Sequence, residues 1–167
     1  RLQGDWSSDV CSSDLTISLH LFVIDDASPS ENACDLSSDF PSVRFHRLEK
    51  NLAFAGANNR GWELIQREVP QVQFVTLLNM DTRTDPRWLP EVLAVFRDHP
   101  EAGAVQSKLR LYPETKKLNT AGNRSHFLGF GFMTGFNEID TGQYDGLSEL
   151  DFPSGAAVTL RDRRAHV

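Results

Sequence analysis

The sequence predicts an α/β protein built on a mostly parallel sheet flanked by helices. Strand-like and helix-like segments alternate along the chain, which is typical of such sheets. Two short apolar runs also end abruptly at carboxylates, and in open α/β sheets ligands bind where strands end. The chain has 167 residues, of which 40% are hydrophobic, so it is long enough to bury one core.

Four short apolar runs are predicted strands, and two longer amphipathic runs are predicted helices. The strands are expected at 19–24, 43–48, 74–78 and 102–106, and the helices at 57–68 and 85–98. In the second helix we expect Asp85 to be the N-cap and Pro86 the first helical residue. Pro90 then falls in the first turn, where its missing N–H costs little.

The periodic pattern weakens between Tyr112 and Tyr144, where glycine, asparagine and aromatic residues dominate. Strand character returns at 151–160, around Ser154, Gly155 and Ala156. Small residues in a strand allow a ligand or another backbone to come close, although tight strand packing alone also favours them.

The first fifteen residues do not fit this pattern. Residues 5–15 read DWSSDVCSSDL, which matches one translation frame of a short-read sequencing adapter, and they lack the apolar region of a signal peptide. We therefore expect residues 1–15 to be an assembly artefact and 16–167 to be a partial domain. A genuine Ser- and Asp-rich leader is the alternative.

Composition excludes several classes of protein. The formal net charge is −6, so the clustered basic residues of a nucleic-acid-binding protein are not expected. Outside residues 1–15 the only cysteine is Cys34, which predicts no disulfide and a reduced, cytoplasmic setting. No apolar run approaches the roughly 18 residues of a membrane span.

Asp81 is the first candidate site residue. It follows the predicted strand 74–78 in the sequence FVTLLNMDT, with Asn79 two residues before it. A carboxylate at a strand end suits Mg²⁺ or Mn²⁺ beside a phosphate, because these ions prefer oxygen ligands. Asp is also common in plain turns, so the residue alone does not decide between the two interpretations.

Two further motifs precede Asp81 in the chain. Asp25 and Asp26 end the first predicted strand, and residues 51–61 read NLAFAGANNRG. Small residues there would allow close approach of a ligand, and a helix start would favour phosphate. The candidate binding residues of this second motif are Asn51, Gly56, Asn58 and Asn59.

Together these motifs resemble the family-two glycosyltransferases, which are inverting, nucleotide-sugar-dependent enzymes with the Rossmann-like GT-A fold. The matching segments are VIDDAS at 23–28, the loop at 51–61 with Ala53 and Ala57 at two glycine positions, LNMDT at 78–82, and the Ser-Gly-Ala triplet at 154–156. The stretch 118–131 resembles a rhamnosyltransferase-like bacterial branch. The resemblance covers about residues 16–164.

The resemblance implies a role for each motif. Asp25, and less directly Asp26, would hydrogen-bond the nucleobase of a UDP- or dTDP-linked sugar. The segment 51–61 would pack against the nucleoside and the pyrophosphate. Asp81 would bind Mg²⁺ or Mn²⁺ with the donor phosphates, and Asn79 stands where some relatives have a second carboxylate. Ser154, Gly155 and Ala156 would lie on the acceptor side.

The resemblance also implies partners and location. The acceptor would be a saccharide or a lipid-linked saccharide of a cell-surface polysaccharide. The full-length protein would be cytoplasmic, at or near the inner face of the membrane, with peripheral association as one option. Rhamnose is the sugar that the branch suggests.

Residues 124–136 are ambiguous. Arg124 and His126 could contact phosphate or acceptor, although a lone histidine is more often structural. Phenylalanines at irregular spacing favour core packing over a sugar-binding platform. They are Phe127, Phe130, Phe132 and Phe136. A charged segment at Arg161, Arg163 and Arg164 is expected to be a solvated face.

Two parts of the family pattern are not found in the sequence. A first strand with a Thr-Tyr-Asn-like end is expected before Thr16, and the acidic catalytic base is expected beyond Val167. We therefore expect a domain truncated at both ends, with an exposed sheet edge and negligible transfer activity.

Other functions stay open. A GT-A-like sugar nucleotidyltransferase and a non-catalytic nucleotide-sugar-binding protein are the alternatives. A dehydrogenase is disfavoured, because no Gly-x-Gly-x-x-Gly follows a predicted strand.

Overall fold

The computed structural model describes residues 17–162, which form two compact units that divide between Gln71 and Val72. The predicted artefact at 1–15 lies outside the described residues, as do Arg163 and Arg164. The first unit contains β1 (Leu21–Asp25), a 3₁₀ helix (Ala33–Leu36), β2 (Val43–Arg47) and α1 (Ala53–Glu68). The second contains β3 (Phe74–Leu78), α2 (Trp88–Asp98), β4 (Ala104–Gln106), β5 (Leu109–Arg110), β6 (Leu118–Thr120), β7 (Asn123–Ser125), β8 (Gly131–Met133) and β9 (Ala157–Arg161).

The first unit is a parallel β1–β2 pair covered by α1. The register runs from Leu21 opposite Val43 to Asp25 opposite Arg47, so the two strands end together. Helix α1 packs closely on β1 at Gly61, where a Cβ would lie 3.0 Å from Cγ1 of Ile24. A larger residue at that position would push the helix away from the strand.

Helix α1 begins at Ala53, four residues before its predicted start at 57. The prediction of a loop over 51–61 is therefore wrong for all but its first two residues. The physical reason is the alanine-rich sequence, since alanine has the highest helix propensity and the segment contains no proline. Leu52 is the N-cap residue and makes no side-chain hydrogen bond to the first turn.

The second unit has β9 between β3 and β4, antiparallel to both. Strands β3 and β4 consequently run in the same direction. Among the strands in 17–162, direct parallel pairing occurs only between β1 and β2. The α/β class is confirmed, whereas a mostly parallel sheet is not shown.

The core of the second unit lies between α2 and the β3–β9–β4 sheet. Val92 and Phe96 of α2 are buried, and the Phe96 ring packs at a tilt against Phe74 of β3, with the ring centroids 4.8 Å apart. Arg161 is not the solvated residue that we expected from the sequence. Its guanidinium donates to the carbonyls of Ala102 and Phe96 and lies over the Phe74 and Phe96 rings.

Two predicted boundaries shift in the second unit. Helix α2 begins at Trp88 with Arg87 as its N-cap, so Asp85 and Pro86 precede the helix and only Pro90 keeps its predicted place in the first turn. The Asp85 carboxylate instead accepts the Arg87 amide at 2.9 Å. Strand β9 begins at Ala157, which places the Ser-Gly-Ala triplet in the turn before it.

The segment 109–133 forms two antiparallel pairs, β5–β6 and β7–β8. Leu118 and Thr120 of β6 are fully buried. Asp140 fixes the following segment to β5, because its buried carboxylate accepts hydrogen bonds from Lys108 at 2.9 Å and from Arg110 at 2.8 Å. No helix in the described part of the chain has the length and apolar character needed to cross a membrane.

Candidate functional site

Asp25 ends β1 with its carboxylate buried and fully engaged. Oδ1 accepts the Ser28 amide at 2.8 Å, and Oδ2 accepts the Ala33 amide at 3.2 Å. Arg47, opposite Asp25 in the β1–β2 register, donates to Oδ2 at 2.8 Å. The Ser28 amide, with smaller contributions from Ala33 and Arg47, lowers the pKa of Asp25 to about 2. The carboxylate is therefore ionised and holds the turn after β1.

Asp26 joins the two motifs of the first unit. Its Oδ1 accepts the Leu52 amide at 2.7 Å, and its carbonyl accepts the Asn51 side-chain amide at 3.2 Å. Asp26 and Asn51 were both predicted from the sequence as binding residues, and the structure brings them together. Asn51 also accepts the Ala53 amide at 3.0 Å, so it holds the entry to α1.

The turn after β1 and the start of α1 each contain an alanine whose backbone is in the left-handed region. Ala27 and Ala53 each have a φ of 57°, which is sterically unfavourable for a residue with a Cβ. Ala53 occupies one of the two positions where the resemblance expects glycine. Left-handed non-glycine residues concentrate at functional sites, because surrounding contacts must hold them there.

Gly56, Asn58 and Asn59 lie within α1 and not in a loop. A Cβ at Gly56 would lie 2.7 Å from the Leu52 Cβ, so this glycine keeps the first turn compact. Asn58 donates to the Phe54 carbonyl at 2.7 Å, and Asn59 is exposed. Of these three, Asn59 has a side chain presented to solvent, where a ligand could reach it.

A cleft of about 340 Å³ lies beside Asn51 in the first unit. Its walls carry four basic side chains and one acidic side chain, but Arg47 and Arg60 already pair with Asp25 and Glu63, and His46 lies 3.4 Å from Glu68. The lining residues are His46, Arg47, Leu48, Glu49, Lys50, Leu52, Arg60 and Leu64. This cleft was not predicted from the sequence, although three of its basic residues, at 46, 47 and 50, are close together in the chain.

Asp81 lies in a tight turn directly after β3. The turn is closed by Thr82, whose amide and hydroxyl both donate to the Asn79 carbonyl, at 3.1 Å and 2.6 Å. Asp81 and Asn79 are both exposed at this strand end. Within residues 17–162, no three histidine, cysteine or acidic side chains are grouped to hold a metal ion. A divalent ion at Asp81 would therefore take most of its ligands from water or phosphate, as Mg²⁺ commonly does.

The Ser-Gly-Ala triplet lies beside the end of β3. The Asn79 amide donates to the Ala156 carbonyl at 3.0 Å, which extends the β3–β9 ladder by one hydrogen bond. The Ser154 amide donates to the Gln106 side chain at 2.5 Å. Two predicted site segments, 79–81 and 154–156, thus meet at one edge of the second unit. Gln106 was not predicted, and its sequence context carries no signal for this role.

The four phenylalanines at 127, 130, 132 and 136 are exposed, so the expectation that they pack in a core is wrong. His126 lies among the first three, with its ring centroid 4.2 Å from that of Phe127. Arg124 pairs with Asp151 at 3.7 Å. Neither Arg124 nor His126 is brought to the Asp81 turn by any hydrogen bond or ion pair described for the second unit.

Comparison with known proteins identifies the family. The glycosyl transferase family 2 model matches residues 15–162, which is most of the chain. No curated protein and no solved structure matches the chain. The family match implies the GT-A fold, in agreement with the α/β class of the structure. The match also spans every segment from which the resemblance was drawn, and the chain therefore belongs to glycosyl transferase family 2.

Proposed function

We propose that the protein transfers a sugar from a nucleoside diphosphate donor to a saccharide acceptor, with inversion at the anomeric carbon and with a divalent ion at Asp81. Family membership implies glycosyl transfer from a nucleotide sugar to an acceptor in general. The observation that carries the finer proposal is the exposed carboxylate of Asp81 in a hydrogen-bonded turn directly after β3.

The chemistry needs three things from the protein. The nucleoside must be held, the departing diphosphate must be neutralised, and the acceptor hydroxyl must lose a proton to a base. Mg²⁺ or Mn²⁺ would neutralise the leaving group when bound. One carboxylate with water and phosphate oxygens satisfies the preference of these ions for oxygen ligands. We assign no catalytic base among residues 17–162.

In the first unit, we propose that the turn held by Asp25 and Asp26 contributes to nucleoside binding. Asp25 accepts three hydrogen bonds, and a carboxylate has about four acceptor positions, so one could serve a base N–H. The side chain is only 1% exposed, however, so its main role would be to position the turn. Asn51 and Asn59 would add side-chain hydrogen bonds, whereas Gly56 would act only by keeping the first turn of α1 compact against Leu52.

In the second unit, we propose that 154–156 borders the acceptor. Its three residues carry small side chains, and their backbone is fixed by Asn79 and Gln106 beside the Asp81 turn. A backbone held in this way can contact a hydroxyl without a large side chain between them. Rhamnosyl transfer from a dTDP donor into a cell-surface polysaccharide is the specific form that the sequence resemblance favours.

Direct donor binding tests the proposal. Isothermal titration with UDP-glucose, dTDP-rhamnose and GDP-mannose, each with Mn²⁺ and with EDTA, should show metal-dependent binding of at least one donor. The corresponding nucleoside triphosphates are the comparison, because a nucleotidyltransferase uses a triphosphate. Preference for a triphosphate would favour that alternative, and absence of all nucleotide-sugar binding would contradict the proposal.

A further inference from the structure

Arg83 is exposed in the segment between β3 and α2, two residues after Asp81. Its guanidinium lies over the ring of Tyr112, with the Cζ atom 4.5 Å from the ring centroid. Such stacking uses the flat face of the guanidinium and leaves the N–H groups at its edge free to donate hydrogen bonds. Tyr112 therefore holds the Arg83 side chain in place without using its hydrogen-bonding capacity.

Arg83 differs from the other arginines of the described segment 17–162. Those arginines either pair with a carboxylate or, as Arg161 does, donate to backbone carbonyls. Arg83 has neither kind of partner within that segment. Because its N–H groups form a planar fork that matches two acceptor oxygens, an arginine that is held in place but unpaired is suited to a phosphate or a carboxylate ligand.

Two other carboxylates close in sequence to Arg83 or to Tyr112 already have basic partners. Asp85 accepts the Arg87 amide at 2.9 Å and lies 3.8 Å from the Arg87 guanidinium. Glu114, in the turn after β5, pairs with Lys117 at 3.1 Å. These carboxylates do not neutralise Arg83, so its charge is available to a bound anion.

Asp81 and Arg83 are opposite charges in one short segment that do not pair with each other. Apart from the ring contact of Arg83, neither side chain makes a hydrogen bond or an ion pair within the part of the chain that the structure describes. Two residues span at most about 7 Å of chain, so both side chains can reach one small ligand. A diphosphate that carries a divalent ion complements both, because it offers a cation to the carboxylate and phosphate oxygens to the guanidinium.

We propose that Arg83 binds the diphosphate of the donor directly and that Tyr112 is the positioning residue for its guanidinium. This inference rests on the proposed function, since it needs a nucleoside diphosphate donor at the Asp81 turn. The charge of the leaving diphosphate is then divided between a divalent ion at Asp81 and the guanidinium of Arg83. The protein consequently keeps part of its affinity for a nucleoside diphosphate when no metal ion is present.

Isothermal titration of the full 167-residue chain with UDP, dTDP and GDP, each in EDTA and in Mn²⁺, tests the inference. The parent should bind at least one of these diphosphates in EDTA. Arg83→Gln should weaken the binding about tenfold or more in both conditions, because a charged hydrogen bond is lost. Asp81→Asn should weaken binding only in Mn²⁺, since in EDTA it removes a negative charge that repels phosphate.

Arg87→Gln is the matched control for Arg83→Gln. Arg87 is an exposed arginine of the same region that already pairs with Asp85, so its replacement should leave diphosphate affinity as in the parent. Tyr112→Phe keeps the ring and should bind like the parent, whereas Tyr112→Leu should weaken binding in EDTA as well as in Mn²⁺. All variants should keep the unfolding temperature of the parent, because the replaced side chains are exposed.

Several results would overturn the inference. If the parent bound diphosphates only in Mn²⁺, or if Arg83→Gln bound them like the parent, the inference would be wrong while the metal-dependent function stood. An equal loss in Arg87→Gln would reduce the effect to general charge.

Geranyl diphosphate, which has no nucleoside, tests the other source of phosphate. If Arg83→Gln weakened only its binding, Arg83 would serve a lipid-linked acceptor and not the donor. If the parent bound no nucleoside diphosphate in either condition, the proposed function would fail together with this inference.

Discussion

The backbone amide of Asn79 donates a 3.0 Å hydrogen bond to the carbonyl of Ala156. This bond continues the β3–β9 ladder past the last strand residues and joins two segments that lie far apart in the sequence. The turn that presents Asp81 and the Ser-Gly-Ala triplet therefore share one edge of the second unit. A carboxylate for the donor and a small-residue backbone for the acceptor would lie together there.

Asp25→Asn should destabilise the first unit and change its response to acid. The pKa of Asp25 is about 2 in the folded protein against an ordinary 3.8. Its stabilising contribution is therefore complete above about pH 4 and is lost as the pH falls towards 2. The variant should unfold at a lower temperature at pH 7, and its unfolding temperature should fall less between pH 4 and pH 2.

Asp39→Asn is the control for that change. Asp39 is an exposed carboxylate of the same unit, so its replacement should leave both the unfolding temperature and its pH dependence as in the parent. Thermal unfolding followed by circular dichroism gives both quantities. An unchanged acid slope in Asp25→Asn would contradict the assignment of Asp25 as the anchor of its turn.

Asp140→Asn should destabilise the second unit by about 1–3 kcal/mol, because it leaves Lys108 and Arg110 without a buried anionic partner. Asp145 also pairs with Lys108 but is exposed, so Asp145→Asn should cost less than about 1 kcal/mol. Urea unfolding of the two variants measures the difference. Equal losses would show that burial of Asp140 does not determine its contribution.

Ala53→Gly should stabilise the protein by up to about 1 kcal/mol, because glycine relieves the left-handed backbone at this position. Ala55→Gly, two residues later in α1, should destabilise by about 0.5–1 kcal/mol through the ordinary cost of glycine in a helix. Denaturant unfolding measures the change in unfolding free energy of each variant, and the two changes should have opposite signs. A loss of stability in both variants would show that Ala53 carries no relievable strain.

The ends of the central strands could be predicted from the sequence. The apolar runs before Asp25 and Asp81 are short and bounded by polar residues, so both strands were expected close to their observed positions, and 74–78 agrees at both ends. The pairing of β9 between β3 and β4 could not be predicted, because it depends on tertiary contacts between distant segments. Local sequence carries little information about such pairing.

Candidate site residues could be predicted from the sequence where polar side chains directly follow the end of a strand. Asp26 and Asn51 were proposed together, and they do meet. Arg47 was missed because it looks like an ordinary strand residue until the register places it opposite Asp25. The start of α1 was missed because a glycine-like motif suggested a loop, whereas the alanines at 53, 55 and 57 favour helix.

Metal-dependent donor binding by an Asp81 variant tests the central claim most directly. Isothermal titration should show that Mn²⁺ strengthens nucleotide-sugar binding to the parent, and that Asp81→Asn reduces this gain by on the order of tenfold or more. Asp85→Asn is the matched control, an exposed carboxylate four residues away whose replacement can still accept the Arg87 amide. Asp85→Asn should bind the donor like the parent. If Asp81→Asn kept the full Mn²⁺-dependent gain, Asp81 would not be the metal ligand and the proposed mechanism would be wrong.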